Sequence, residues 1–135
     1  MDATLRDFVR ARANDCCEYC RLPRTAQLMP FHVEHIVAKQ HGGAYVVENL
    51  AWSCDRSNAY KVPNLSGVDP ISGDIVALYH PRRDEWHRHF MLQDARIEGR
   101  TAIGRATVRL LQMNARRRVD VHGELIEEGK FNLGG

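Results

Sequence analysis

The stretch Phe31-His32-Val33-Glu34-His35-Ile36-Val37, then His41-Gly42-Gly43, Asn49-Leu50-Ala51-Trp52-Ser53 and Cys54-Asp55-Arg56-Ser57-Asn58-Ala59-Tyr60-Lys61, decides how this chain is read. Residues 31–37 alternate apolar and polar side chains over most of their length, the period of a half-buried strand. His41-Gly42-Gly43 breaks that pattern. Leu50 to Ser53 reads as a second short strand. Asp55 offers a cap for a short helix over Arg56 to Lys61, which stops before Pro63. The stretch therefore predicts strand, loop, strand, helix.

Working outward, residues 4–13 predict a helix with Leu5, Phe8, Val9 and Ala13 on one face and Asp2 as its cap. Asn14-Asp15 ends it and leads into a tight knuckle, Cys17-Glu18-Tyr19-Cys20. Downstream, Pro70 to Asp74 reads as a turn, Ile75 to Tyr79 as a strand and Asp84 to Phe90 as a short helix. Thr101 can cap a helix from Ala102 to Met113, with Ile103, Ala106, Leu110 and Met113 facing inward. A second amphipathic segment runs from about 117 to 128, and the Gly-ended tail is expected to fray.

With 135 residues, 44% hydrophobic and 27% charged, the chain has the size and composition of one globular domain, which argues against disorder, collagen and coiled coil. No apolar run approaches the ~18 residues of a membrane helix. The early acid and lack of an apolar stretch after Met1 point to the cytoplasm. Net charge is only +2, but 16 of the 19 basic residues are Arg, and residues 1–119 carry 18 bases against 13 acids. Arginine's planar fork suits phosphate, although GC-rich codons alone would also raise the Arg count.

Glu34, His35, Asn49, Asn58 and Lys61 are the residues that could carry chemistry. Phosphodiester hydrolysis needs a base to activate water, and histidine has the right unperturbed pKa. That base must be held in one tautomer, which an Asn49 carbonyl could do for His35. A hard divalent cation must neutralise the phosphate, and oxygen ligands from Glu34 and Asn58 suit Mg²⁺. Lys61 and Arg56 could hold phosphate oxygens. Strand periodicity sends adjacent Glu34 and His35 to opposite faces, so spacing alone does not assemble this site.

The stretch from Cys17-x-x-Cys20 to Lys61 resembles the HNH nuclease motif of the ββα-metal (His-Me finger) superfamily. The resemblance implies an α+β fold with a ββα-metal core at about 14–64, preceded by a helix and followed by a strand-and-helix extension at about 65–135, all one domain. It implies a metal-dependent DNA endonuclease that leaves 5′-phosphate and 3′-hydroxyl ends. His35 would be the general base and Asn49 its orienter. Glu34 and Asn58 would bind one Mg²⁺, Mn²⁺ or other divalent cation. Contacts would run mainly to the DNA backbone with weak sequence specificity, by a monomer or a homodimer.

Further on, Asn64-Leu65, His80-Pro81-Arg82-Arg83-Asp84, Trp86-x-x-His89-Phe90 and Gly104-Arg105-Ala106-Thr107-Val108 resemble a bacterial HNH subfamily of cyanobacteria and other environmental bacteria. Arg82 and Arg83 are candidate phosphate contacts. His32 on the strand, and His89 or else His80 in the extension, are candidates for a supporting shell around the site.

Zinc-bearing HNH members carry two CxxC knuckles, whereas here the second reads Cys54-Asp55-Arg56-Ser57. Serine is a poor zinc ligand, and adjacent Cys16 and Cys17 fit one tetrahedron badly. Cys17, Cys20 and Cys54 are thus possible zinc ligands, but the incomplete set favours small buried apolar residues instead. Two other readings compete. One is a non-catalytic zinc-knuckle module that binds nucleic acid, which would leave Glu34, His35, Asn49 and Asn58 without a purpose. The other is a redox protein using Cys17-x-x-Cys20, which lacks the βαβ context such a motif needs.

Overall fold

The structure, a computed structural model, describes residues 2–131; the Gly-ended tail lies outside them. Helix α1 (Ala3–Arg12) starts where expected, its first turn capped by Asp2, whose carboxylate accepts from Thr4 N at 2.7 Å. The knuckle at 17–20 follows. Strands β1 (His32–His35) and β2 (Leu50–Ser53) form an antiparallel pair, with His32 opposite Ser53 and His35 opposite Leu50. Helix α2 (Asp55–Lys61) follows at once. The strand, loop, strand, helix order of 31–61 is thus the observed one.

The cap of α2 differs from expectation. Cys54, not Asp55, takes the capping position, and its sulfur accepts from Ser57 N at 3.4 Å. Asp55 is instead the first helical residue, where a negative charge favours the positive end of the helix dipole.

The extension holds two more antiparallel pairs, β3 (Ser66–Val68) with β4 (Ile75–Ala77), and β5 (Phe90–Gln93) with β6 (Arg96–Gly99). Helix α3 (Trp86–His89) is a single turn, because Phe90 already belongs to β5. Helix α4 (Ala102–Leu110) is capped by Thr101, whose hydroxyl accepts from Gly104 N at 3.0 Å, and α5 (Arg116–Glu127) closes the described chain. The elements are a mixture of helices and small sheets, an α+β architecture. None of the helices is long and apolar enough to cross a membrane.

One continuous core joins the two halves. Phe31 packs on Trp52 with ring centroids 5.7 Å apart. From the extension, Tyr79 meets Tyr19 edge-on at 6.3 Å and Phe90 at 5.2 Å. Trp86 lies 5.1 Å from Phe90 and donates its indole N–H to Tyr19 O at 2.7 Å. The knuckle is stitched to β2 in both directions. Glu18 N donates to Trp52 O at 2.9 Å, and Trp52 N donates to Glu18 Oε2 at 2.8 Å. These links fix the knuckle beside the sheet whose first strand carries Glu34 and His35.

Candidate functional site

Adjacent positions on β1 face opposite ways, so Glu34 and His35 part company. Glu34 points inward and is 3% exposed. Tyr19 donates its hydroxyl to Oε1, while Lys61 Nζ stands 3.6 Å from Oε2, an oxygen with no hydrogen-bond partner. Burial pushes the Glu34 carboxyl up to about 7; the Lys61 charge and the Tyr19 hydroxyl work against that rise. His35 lies on the other face, its ring 5.5 Å from that of Tyr45, with a buried Nε2 that has no partner. Burial first, and the Lys39 charge second, lower its pKa, which keeps the imidazole neutral at neutral pH.

Asn49 does not reach this ring with a hydrogen bond. Its Oδ1 accepts from Val37 N at 2.9 Å, and its Nδ2 donates to Val37 O at 3.0 Å and Ala44 O at 2.9 Å. The side chain thus clamps the loop that leaves β1, and it acts on the position of His35 through backbone. The clamp explains Gly43. A Cβ there would lie 1.7 Å from Val37 O and 2.9 Å from Asn49 Nδ2, so the chain can pass only without a side chain. Gly42 turns the loop with φ of 86°. From α1, Arg12 donates to Val47 O at 2.9 Å and Leu50 O at 2.7 Å, bracketing Asn49 on both sides. No motif in the sequence singles out Arg12.

Several expected surface contacts sit elsewhere. Lys61, expected to hold phosphate, is 3% exposed and donates to Ile36 O at 2.7 Å beside Glu34. A cation at the inner end of a helix serves a buried carboxylate better than a solvated phosphate. Arg82 is largely buried and paired with Glu18. His89, expected to support the site, is buried with Nδ1 2.6 Å from Thr101 Oγ1. It therefore braces the start of α4. Arg56 lies over the Tyr60 ring at 5.8 Å and borders a separate groove with Arg117 and Arg118. His32 is exposed at the start of β1, and Asn58 is half-buried on α2. Arg83 is exposed at the edge of the site.

His80, ranked behind His89 from sequence, has the better position. With Arg83 it lines two depressions, of about 310 Å³ beside Val37 and Lys61 and about 470 Å³ beside Gly43 and Asn49. Its ring is oriented, since Nδ1 accepts from Arg82 N at 3.2 Å and its own backbone N donates to Asp84 Oδ2 at 2.9 Å. A neutral ring held that way carries its proton on Nε2. The dense charge of His80-Pro81-Arg82-Arg83-Asp84 was the available signal.

Three of the four thiols are buried together. Cys17, Cys20 and Cys54 bring their sulfurs within 4.8 Å of one another, a group that could hold a metal ion. Ser57 Oγ joins them, 3.6 Å from Cys17 Sγ and 3.3 Å from Cys54 Sγ. Cys16 stands apart, half-buried, with its sulfur donating to Asn14 O at 3.4 Å.

Among known proteins, no curated protein and no solved structure matches the chain. Residues 17–61, the third of the chain that holds the knuckle, β1, β2 and α2, match the family model described as HNH endonuclease.

Proposed function

We propose that this chain is a divalent-metal-dependent endonuclease acting on DNA, with its chemistry at the β1–β2–α2 unit. One observation carries the reading: within the segment that matches the HNH endonuclease model, the successive residues Glu34 and His35 each bury a polar atom, Oε2 and Nε2, that has no hydrogen-bond partner. A buried polar atom without a partner costs about 1–3 kcal/mol, so two in succession on one strand call for a ligand or a role.

In this reading the neutral imidazole of His35 takes a proton from water as the water oxygen attacks phosphorus. The leaving 3′-oxygen departs, and a 5′-phosphate remains. Glu34 and Asn58 would hold one hard divalent cation; the unpartnered Oε2 is a fitting oxygen donor. When bound, the cation neutralises charge on the phosphate and the leaving oxygen. Lys61 favours the ionised carboxylate and so opposes the rise that burial imposes on Glu34. Asn49 and Arg12 fix the loop behind His35. Arg83 and His80 offer donors to a phosphate in the depressions beside that loop.

Incubating supercoiled plasmid with Mg²⁺, Mn²⁺ or EDTA, wild type beside His35→Ala, tests this. Nicking should require metal and vanish in the variant, while circular dichroism stays unchanged. Cleavage retained by folded His35→Ala would remove the base. The sealing of Glu34 by Lys61 and Tyr19 favours a second reading, a nucleic-acid-binding module without catalysis. Plasmid binding by a folded wild type that cuts neither with Mg²⁺ nor with Mn²⁺ would decide for it.

A further inference from the structure

The nuclease reading makes no use of the loop that leads into β1. The tip of that loop, Leu28-Met29-Pro30, stands in solvent, with Leu28 fully exposed and Met29 58% exposed. Burying side chains of this size is favourable, so a tip that keeps them in water needs something to hold it out. Gln27 does so. Its Nε2 donates to Met29 O at 3.2 Å and to Asp55 Oδ1 at 2.8 Å, and its Oε1 accepts from Arg118 Nη1 at 3.2 Å. Arg118 is itself buried. The loop is thus tied to the starts of α2 and α5, and its apolar end is left outside.

Charge supplies a second, independent observation. Between the tip and the starts of α2 and α5 lies a groove of about 540 Å³, whose lining includes Arg56, Arg117 and Arg118. Among the described residues, no carboxylate forms an ion pair with any of the three. The carboxylate in the groove, Asp55, is engaged by Gln27. Guanidinium forks without carboxylates match phosphate oxygens. A braced tip of Leu, Met and Pro flanked by arginine is also the combination that parts stacked bases from the minor groove.

We infer that Leu28-Met29-Pro30 is a wedge that enters the minor groove of duplex DNA and opens one base step, while Arg56 and Arg117 hold the flanking phosphates. The inference rests on the DNA-directed reading proposed above and adds a second contact away from the candidate site. Pro30 lies five residues before His35, about 16 Å along an extended chain at ~3.3 Å per residue. A duplex lying along β1 rises about 3.4 Å per step, so the opened step would sit about five base pairs from the phosphate at His35. Steps differ in the cost of opening: pyrimidine–purine steps part readily and A-tracts resist. Selectivity would follow deformability rather than base identity.

The test uses the full chain in EDTA, so that binding is read without cleavage, and a short duplex carrying 2-aminopurine, which brightens when unstacked. Wild type should raise this fluorescence. The double variant Leu28→Ser, Met29→Ser changes only solvent-facing side chains; it should abolish the rise and weaken duplex binding by about 10-fold or more. A duplex with one mismatched step should bind wild type more tightly than a perfect one, and the double variant should lose that preference. Arg56→Ala and Arg117→Ala should each lower the slope of log affinity against log salt by about 1, whereas the double serine variant keeps the slope. A bound duplex with no rise, or a rise and affinity retained by the double variant, overturns the wedge. Unchanged slopes in both arginine variants overturn the phosphate grip. Either result leaves metal-dependent nicking standing, whereas a folded wild type that binds no duplex overturns the DNA-directed reading together with the wedge. Self-association lost in the double variant, with DNA binding unchanged, would assign the tip to a second copy of the chain and overturn the proposal.

Discussion

Asn49 commits every polar atom of its side chain to the backbone of the loop after β1. Replacing it with alanine removes three hydrogen bonds and leaves the Val37 amide and carbonyl without their partner. Asn49→Ala should therefore cost about 1–3 kcal/mol in chemical denaturation, and the Val37 amide should lose its protection against hydrogen exchange. If Asn49 served only to hold the His35 ring, stability and the Val37 amide would be unaffected. The sequence marks Asn49 as a candidate orienter of His35 but does not show which group it bonds, because a donor-and-acceptor side chain can satisfy a ring nitrogen or a peptide equally well. The burial of Lys61 escapes a sequence reading for a related reason. A lysine on a short helix reads as solvated, and only the buried Glu34 beside it explains its inward turn.

Elements were more legible where one local rule governed them. Alternation located β1, and capping chemistry located α1 and α4 through Asp2 and Thr101. The hairpin of β5 and β6 carried no alternating pattern strong enough to read, and it took Phe90 from the expected helix. Helix α5 was visible as an amphipathic segment, but not what its inner face does. That face carries His122, fully buried, with neither ring nitrogen hydrogen-bonded and its ring 4.7 Å from Phe131. Burial, with the Arg118 charge second, pulls its pKa down from 6.5 to about 4. The sign follows directly. Above pH ~6.5 the imidazole is neutral in both folded and unfolded chains. Between that value and about 4 the unfolded chain takes up a proton that the folded chain refuses, so stability falls as pH falls. A shift of that size corresponds to roughly 3–3.5 kcal/mol at full effect. Denaturation midpoints at pH 7.5, 6 and 5 should drop for wild type and drop less for His122→Leu. Equal slopes for the two chains would show that His122 is not the group responsible.

At the scale of the molecule, the segment that resembles a known family is not a free-standing unit. Residues 17–61 contain the knuckle, both strands of the first pair and α2, but the packing around Tyr19 is completed by Tyr79 and Trp86 from the extension. Leu111 and Met113 belong to the same core, as does Val9 from α1. A domain of about 60 residues buries only about 60% of the surface its unfolded chain exposes, and is marginal even with its core complete. Deprived of these partners, Tyr19 and its neighbours would face water. The chain cut after Asn64 should therefore lack a cooperative unfolding transition and fixed near-ultraviolet circular dichroism in metal-free buffer, whereas the full chain should show both. In the full chain, Trp86→Phe keeps the ring but loses the hydrogen bond to Tyr19 O. It should cost about 1–3 kcal/mol without abolishing the transition. A cooperative transition in the fragment would mean that the extension is an accessory laid on a self-sufficient core. Its absence, with a modest loss in Trp86→Phe, would mean that the second half of the chain holds β1 of the first half in place.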